Sequence, residues 1–189
     1  MGRTSARQRL LEAASQLFYA DGMSTGIDAI TEKAGVAKMS LYNNFSSKHD
    51  LILAYIEARH EEWLELYRLR VENSSSAIDG VLSVFDAYID HASVDYPGGF
   101  RGCGLLNAAA ELPVGTTGRE LVRSHKKQVE NILAEHLHEM VSAENVDETA
   151  AHLSLLLEGA MTIGGLEGSA DRLQQARTFA YRLVEGASE

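Results

Sequence analysis

The chain has 189 residues, of which 45% are apolar, with two prolines and a single cysteine. This length supports one well-packed domain and a smaller one without disulfide or metal staples, and one cysteine excludes an internal disulfide. The formal net charge of -10 argues against nucleic-acid binding until it is divided along the chain.

The charge is distributed unevenly. Residues 1–48 carry six Lys and Arg against four Asp and Glu, a net charge of +2, which leaves -12 for the rest of a chain whose total is -10. Charges are screened beyond about 8–10 Å at ordinary salt, so phosphate attraction is local. A basic N-terminal segment on an acidic body can therefore still bind DNA, and the asymmetry indicates two separate roles.

Hydrophobic periodicity predicts helices throughout, and no alternating strand pattern is present. A first helix is expected from about Ser5 to Ala20, then a short helix capped by Asp28, and a second short helix from about Lys38 to Phe45. A long helix should span about 49–72. Further helices are expected over about 78–92, 103–112, 122–140, 147–167 and 170–186, which makes about nine in an all-α fold.

The segment from Ile27 to Phe45 has the pattern of a helix-turn-helix. Gly35 lies where the turn needs a positive φ, which costs glycine little. Leu41 and Phe45, four residues apart, anchor the second short helix in the core. The exposed side then carries hydroxyl, amide, aromatic and cationic groups, and no acid lies between Lys33 and His49.

These exposed side chains suit DNA. Asn43 and Asn44 can form bidentate hydrogen bonds to adenine, Met39 can contact a thymine methyl group, and Ser40 adds a hydroxyl. Lys38, Tyr42 and Lys48 are placed to meet phosphates. For Tyr42, partial burial as core packing is the alternative, since its ring has an apolar body and a polar tip.

Residues 27–48 resemble the N-terminal signature of TetR-family repressors. The pattern Ala34-Gly35-Val36, then Leu41-Tyr42-x-x-Phe45, then Lys48, is matched position by position. Met39 and Asn44 depart from the commonest residues of the family, glycine and histidine, and so bear on which operator is read. The resemblance implies that DNA is contacted by a set of seven residues: Thr25, Lys38, Ser40, Tyr42, Asn43, Asn44 and Lys48.

The resemblance also implies the domain organisation. Residues 1–48 would form a three-helix helix-turn-helix DNA-binding domain, and residues 49–189 a helical ligand-binding and dimerisation domain. The implied function is that of a ligand-responsive regulator, a repressor that binds a palindromic operator as a homodimer and is released by a small-molecule effector. Activation instead of repression stays open.

The run from Ala151 to Leu166 is apolar around most of its circumference, so we expect it to be buried on two sides. One side would pack on its own domain, and the other, with Leu173, Ala176, Ala180, Leu183 and Val184, on a second copy. This predicts an isologous homodimer through residues of about 147–186. A buried central helix of a monomer is the alternative.

Six residues are predicted to line an effector pocket because apolar stripes of different helices should converge there: Phe85, Tyr88, Leu105, Asn107, His125 and Val129. For His125, a satisfied core histidine is the alternative. Cys103 is either a buried structural residue or a sensor of oxidants and electrophiles.

Two other function classes compete with the regulator. One is a small helical enzyme with Cys103 as nucleophile and His125 as base, although no local motif supports it and we expect no catalytic residue. The other is a helical scaffold without DNA affinity. We expect no metal, no cofactor, no membrane contact and no signal peptide, and a cytoplasmic location.

Overall fold

The computed structural model describes residues 4–94, 96 and 98–187, and these residues form nine α-helices and no strand. The helices are α1 (Ala6–Asp21), α2 (Ile27–Ala34), α3 (Lys38–Asn44), α4 (Lys48–Val71), α5 (Ala77–Ala92), α6 (Gly104–Glu111), α7 (Thr117–Leu137), α8 (Val146–Glu167) and α9 (Asp171–Ala187). The predicted all-α fold is confirmed. Within the described part of the chain, no helix has the length and apolarity that a membrane span requires.

Two helix starts differ from prediction. Gly26, not Asp28, is the N-cap of α2, and Asp28 lies in the first turn of the helix. An acid in the first turn still lies near the positive end of the helix dipole, so Asp28 is favourable there without capping. Helix α7 begins at Thr117, five residues before the apolar stripe that predicted it, because polar residues that do not contribute to a stripe still continue the helix.

The described residues divide into two compact units. The first comprises those within Met1–His60, Tyr96–Gly98 and Gly104–Val122, and the second those within Glu61–Asp95, Gly99–Cys103 and Arg123–Glu189. Helices α4 and α7 each have residues in both units. The assignment of DNA binding to residues 1–48 and of ligand binding to residues 49–189 stays a prediction about function.

In the first unit, α1 packs against α2, α3 and α6. Its fully buried side chains include Leu10, Phe18, Ile30, Leu41 and Tyr55. Helix α6 approaches closely because Gly104 has no side chain. A Cβ atom there would lie 2.8 Å from the Tyr55 hydroxyl oxygen and 3.2 Å from the Tyr19 ring.

In the second unit, α9 packs against both α5 and α8. The core includes Phe85, Leu133, Leu153, Leu157 and Ala180, each essentially inaccessible to solvent. Helix α8 also passes very close to the segment before α6, since a Cβ atom on Gly165 would lie 2.5 Å from the Gly102 nitrogen. The two glycines therefore allow main chain to pack directly on main chain.

Candidate nucleic-acid interface and buried polar cluster

The turn between α2 and α3 has the predicted geometry. Gly35 takes a left-handed conformation with φ of 61°, which glycine adopts without steric cost. The Val36 N–H donates to the Thr31 carbonyl at 3.0 Å. Leu41 is fully buried and Phe45 nearly so, and together they fix α3 on the core of the first unit.

The opposite side of α3 faces solvent. Met39 is 69% exposed and Tyr42 46% exposed, and Asn43 is exposed as well. The exposure of Tyr42 favours a role at the surface over the alternative of core packing. A large apolar side chain such as Met39 gains nothing from water, so its position on this face is consistent with contact to another molecule.

Four predicted contact residues are half-buried: Thr25, Ser40, Asn44 and Lys48. The Asn44 side-chain nitrogen donates to the Ser40 carbonyl at 2.7 Å, and the Thr25 hydroxyl donates to the Gly22 carbonyl at 2.8 Å. These local bonds hold the two side chains against the backbone. Asn44 must rotate away from its own helix before both groups of its amide can read a base.

Lys38 forms an ion pair with Asp28, with 2.8 Å between the ammonium nitrogen and the carboxylate oxygen. The hydrogen bond to Asp28 and its charge raise the pKa of Lys38, so the side chain stays protonated. Both partners are more than half exposed, and exposed pairs of this kind contribute little. Lys38 can therefore exchange Asp28 for a phosphate at small cost.

Two arginines near the N-terminus have structural partners that the sequence did not reveal. Arg9 donates to the Ala34 and Gly35 carbonyls at 3.2 Å each, at the C-terminal end of α2, where a cation is favoured by the helix dipole. Arg7 lies over the Phe45 ring, 5.1 Å from its centroid. Part of the basic charge of this segment thus fixes α2 and α3 on α1.

A carboxylate from α6 also stabilises the turn between α1 and α2, next to the candidate DNA-binding helices. Glu111, the last residue of α6, accepts a hydrogen bond from the Met23 N–H at 2.9 Å. Met23 lies in the turn that leads from α1 to α2. The sequence offered no signal for this contact, because the two residues are 88 positions apart.

Of the six predicted pocket residues, the structure brings two together around Trp63. The rings of Tyr88 and His125 each lie 5.5 Å from the Trp63 ring, edge to face. Phe85 and Val129 are buried in the same unit, whereas Leu105 and Asn107 belong to the first unit. Trp63 was not predicted, although a single tryptophan in the chain was a signal for it.

A polar cluster of four side chains lies next to this aromatic group: Tyr88, Cys103, Lys126 and Glu158. The Lys126 ammonium donates to Glu158 Oε1 at 2.7 Å, to the Tyr88 hydroxyl at 3.2 Å and to Cys103 Sγ at 3.5 Å. Burial acts to lower the pKa of Lys126, but its neighbours raise it well above its ordinary value. Burial strongly raises the pKa of Tyr88, so the cluster is a neutral phenol beside a lysine–glutamate ion pair.

The sequence contained a signal for this ion pair. Glu158 is the one acid in the apolar run from Ala151 to Leu166, and a charge in such a run must be paired if it is buried. Cys103 is buried at 8% exposure and immediately precedes α6.

The outer side of α8 and α9 carries large apolar side chains in solvent. These are Leu155, Ile163, Leu166, Phe179 and Leu183, between 42% and 85% exposed. We call them the α8–α9 apolar face. The four other apolar residues of α9 that were expected at an interface, Leu173, Ala176, Ala180 and Val184, are buried within the unit. The apolar stripe of α9 therefore packs inside the unit, and of the five residues expected at the interface Leu183 alone remains exposed.

Comparisons with known proteins agree on one family. The family model described as bacterial regulatory proteins, tetR family, matches residues 10–55. A TetR-family transcriptional regulator from Streptomyces coelicolor is 32% identical, with a TM-score of 0.88 over 97% of this chain and 96% of that one. A TetR regulatory protein from Rhodobacter sphaeroides is 25% identical, with a TM-score of 0.79 over 95% of this chain and 98% of its own.

A curated relative adds a functional description. The HTH-type transcriptional activator FasR from Mycolicibacterium smegmatis is 37% identical over 100 residues, which is 50% of this chain. The match spans 45% of the length of that relative, less than half. TetR-family regulators are DNA-binding transcription factors and not enzymes, so the alternative with Cys103 as nucleophile is excluded. The chain belongs to the TetR family of bacterial transcriptional regulators.

Proposed function

We propose that this regulator is a ligand-responsive repressor that binds a palindromic operator as a homodimer. The observation that carries the proposal is the exposed side of α3, where Met39, Tyr42 and Asn43 face solvent in a stretch without acids. Base edges would be read by Met39, Ser40, Asn43 and Asn44. Phosphates would be bound by Lys38, Tyr42 and Lys48, and Thr25 would also contact DNA.

The test is a gel-shift titration with the DNA upstream of the protein's own gene, at several salt concentrations. Lys38→Ala should weaken binding to all sequences and lower the slope of log K against log salt by about one. Lys127→Ala is the matched control, because Lys127 is an exposed lysine of the second unit whose ion pair, with Glu130, lies three residues away. Absence of salt-sensitive binding to palindromic DNA would contradict the proposal.

Activation of transcription is the second candidate, favoured by the relative described as an activator. A reporter gene behind the bound operator separates the two. Repression predicts more transcript when the protein is removed, and activation predicts less. The position of the operator relative to the promoter then explains whether the protein represses or activates transcription.

Dimerisation is proposed through the α8–α9 apolar face, within residues of about 147–186. The support is its exposure and the groove of about 340 Å³ between the helices, lined by Leu155, Ile163, Ala176 and Phe179 among others. Contiguous apolar surface of this kind marks association, and a twofold dimer would present two α3 helices about 34–36 Å apart.

Phe179→Glu tests this interface by sedimentation. We expect a monomer with weakened binding to the palindrome. Val114→Glu is the control, because it places the same charge at an exposed valine away from the face. A dimeric Phe179→Glu protein would contradict the proposed interface.

We propose the cytoplasm as the location, because the DNA target is there, and a small-molecule effector bound by residues of the predicted set. The support is the convergence of Tyr88 and His125 on Trp63. An effector releases DNA only if it favours a conformation with lower operator affinity, by a few kcal/mol. Alanine at Tyr88 and at His125 should each weaken the effector response in an operator-release assay.

A further inference from the structure

Within the polar cluster, Lys126 has no free hydrogen-bond donor with which to bind an anion. An ammonium has three donors, and those of Lys126 are directed at Glu158, Tyr88 and Cys103. The Tyr88 hydroxyl in turn donates to Glu158 Oε1 at 3.3 Å. A carboxylate or phosphate ligand would have to displace one of these partners, and would then face the negative charge of Glu158.

The polar cluster does contain one hydrogen-bond acceptor that is not used. Glu158 Oε2 is buried and has no hydrogen-bond partner among the described residues. Its sister oxygen holds two donors, so the carboxylate is satisfied on one side alone. Buried polar atoms almost always have a partner, and an unpartnered charged one is costly. A donor that is not part of the described chain would therefore satisfy Oε2.

A second buried atom lacks a partner in the same neighbourhood. Trp63 is 3% exposed, and within the part of the chain that the structure describes its indole Nε1 has no acceptor. Trp63 contacts Tyr88, the residue that also binds Glu158. The side chains of Lys126 and Glu158 keep 18% and 22% of their surface exposed, so the edge of the cluster lies at the protein surface, although Glu158 Oε2 itself is buried.

We propose that the polar cluster recognises an organic amine in its protonated form. The ammonium N–H would donate to Glu158 Oε2, and an apolar or aromatic body would pack against Trp63. The aromatic rings favour a cation, and the net charge of -12 outside residues 1–48 attracts one. The release of DNA by such an amine rests on the function proposed above, but the binding itself does not.

The sole tryptophan of the chain reports on this site directly. Three probes share a phenyl ring and differ at the polar end: 2-phenylethylammonium, 2-phenylethanol and 3-phenylpropanoate. Titrated against Trp63 fluorescence, the amine should bind at least about tenfold more tightly than the carboxylate, with the alcohol between them. Equal or tighter binding of the carboxylate or the alcohol overturns the proposal, as does no response to any probe up to about 10 mM.

Variants then assign the amine to Glu158. Glu158→Gln keeps the shape but removes the charge, and should weaken amine binding about tenfold or more without weakening carboxylate binding. Glu148→Gln, an exposed change on the same helix, should leave both unchanged. Unaltered amine binding by Glu158→Gln overturns the assignment.

A second variant guards against misfolding, since Glu158→Gln leaves Lys126 without its counterion. Replacing both Lys126 and Glu158 by methionine removes the ion pair without leaving a buried charge. This protein should also lose the preference for the amine, and its keeping that preference overturns the proposal. If the wild-type protein binds the operator but does not prefer the amine, the amine proposal fails and the proposed function stands. If it does not bind the operator at all, the proposed function fails.

Discussion

Replacing Gly165 by alanine should destabilise the protein, although the same change favours an isolated helix. In α8 the added Cβ atom would lie 2.5 and 2.6 Å from the nitrogen and Cα of Gly102, and 2.7 Å from the carbonyl carbon of Arg101. All three are main-chain atoms, so no side chain can rotate away. The expected cost is the upper end of the overpacking range, about 3 kcal/mol.

Helix propensity offsets part of that cost. Alanine is favoured over glycine by about 1 kcal/mol in a helix, so Gly165→Ala should lose about 2 kcal/mol. For a chain of this size that corresponds to a Tm lower by about 4–8 °C. Gly159→Ala in the same helix is the control, since a Cβ atom there meets no described atom within 4 Å apart from the adjacent residues and backbone of its own helix. Its Tm should rise by about 2–4 °C.

The assay is thermal unfolding followed by far-UV circular dichroism. Gly159 lines the groove of the proposed dimer face, so the melts are compared at several protein concentrations to separate a dimer effect from helix propensity. If Gly165→Ala raises the Tm as Gly159→Ala does, the close approach of α8 to the segment before α6 is not as described, and the reasoning fails.

Four further predictions concern the interface and the pH dependence. Asn43→Ala should cost about tenfold in operator affinity at one base position in gel shifts; equal loss for every sequence would assign Asn43 to phosphates. Asp28→Asn should tighten DNA binding up to about fivefold at low salt by freeing Lys38, with the gain vanishing at high salt. Glu111→Ala should weaken operator binding severalfold by leaving a backbone N–H before α2 unpaired, whereas Glu111→Gln, which keeps an acceptor, should restore it. Burial lowers the pKa of His136 from 6.5, so its contribution to stability is complete above about pH 6.5 and is lost as the pH falls below that value; between about pH 7.5 and 5.5 the Tm of wild type should drop more than that of His136→Phe.

The helices and the helix-turn-helix could be predicted because they depend on local patterns. In α5 and α7, for example, a stripe of apolar residues repeats every three to four positions. The Gly35 turn needs a residue that tolerates positive φ, and Leu41 and Phe45 need only their spacing to share a face. Such information lies within about twenty residues of sequence.

The contacts of the polar cluster could not be predicted in the same way. Lys126 and Glu158 lie on different helices, and their pairing depends on how α7 and α8 pack. Periodicity places His125 on the apolar stripe of α7 but does not show that its neighbour Lys126 is also drawn inward. The predicted pocket set consequently contained aromatic and apolar residues and one amide, Asn107, and omitted both charges.

The contacts by which Arg7 and Arg9 fix α2 and α3 on α1 could not be predicted either, because they also depend on how the helices pack. Arg7 and Arg9 raised the net charge of the N-terminal segment, and charge alone suggests phosphates. Their actual partners, a ring and two carbonyl groups, become visible once α1 is packed on α2 and α3. A count of charges therefore overstates how many of them are available to DNA.

The membership of α6 in the first unit has a consequence for synthesis on the ribosome. The unit includes residues up to Val122, so its first sixty residues are made about 3–12 s before its last residue at ordinary elongation rates. During that time the surfaces of Tyr19 and Tyr55 that meet Gly104 are uncovered. A fragment ending at residue 60 would leave these surfaces uncovered permanently. A chimeric protein that contains helices α1 to α3 of this chain should therefore also contain α6.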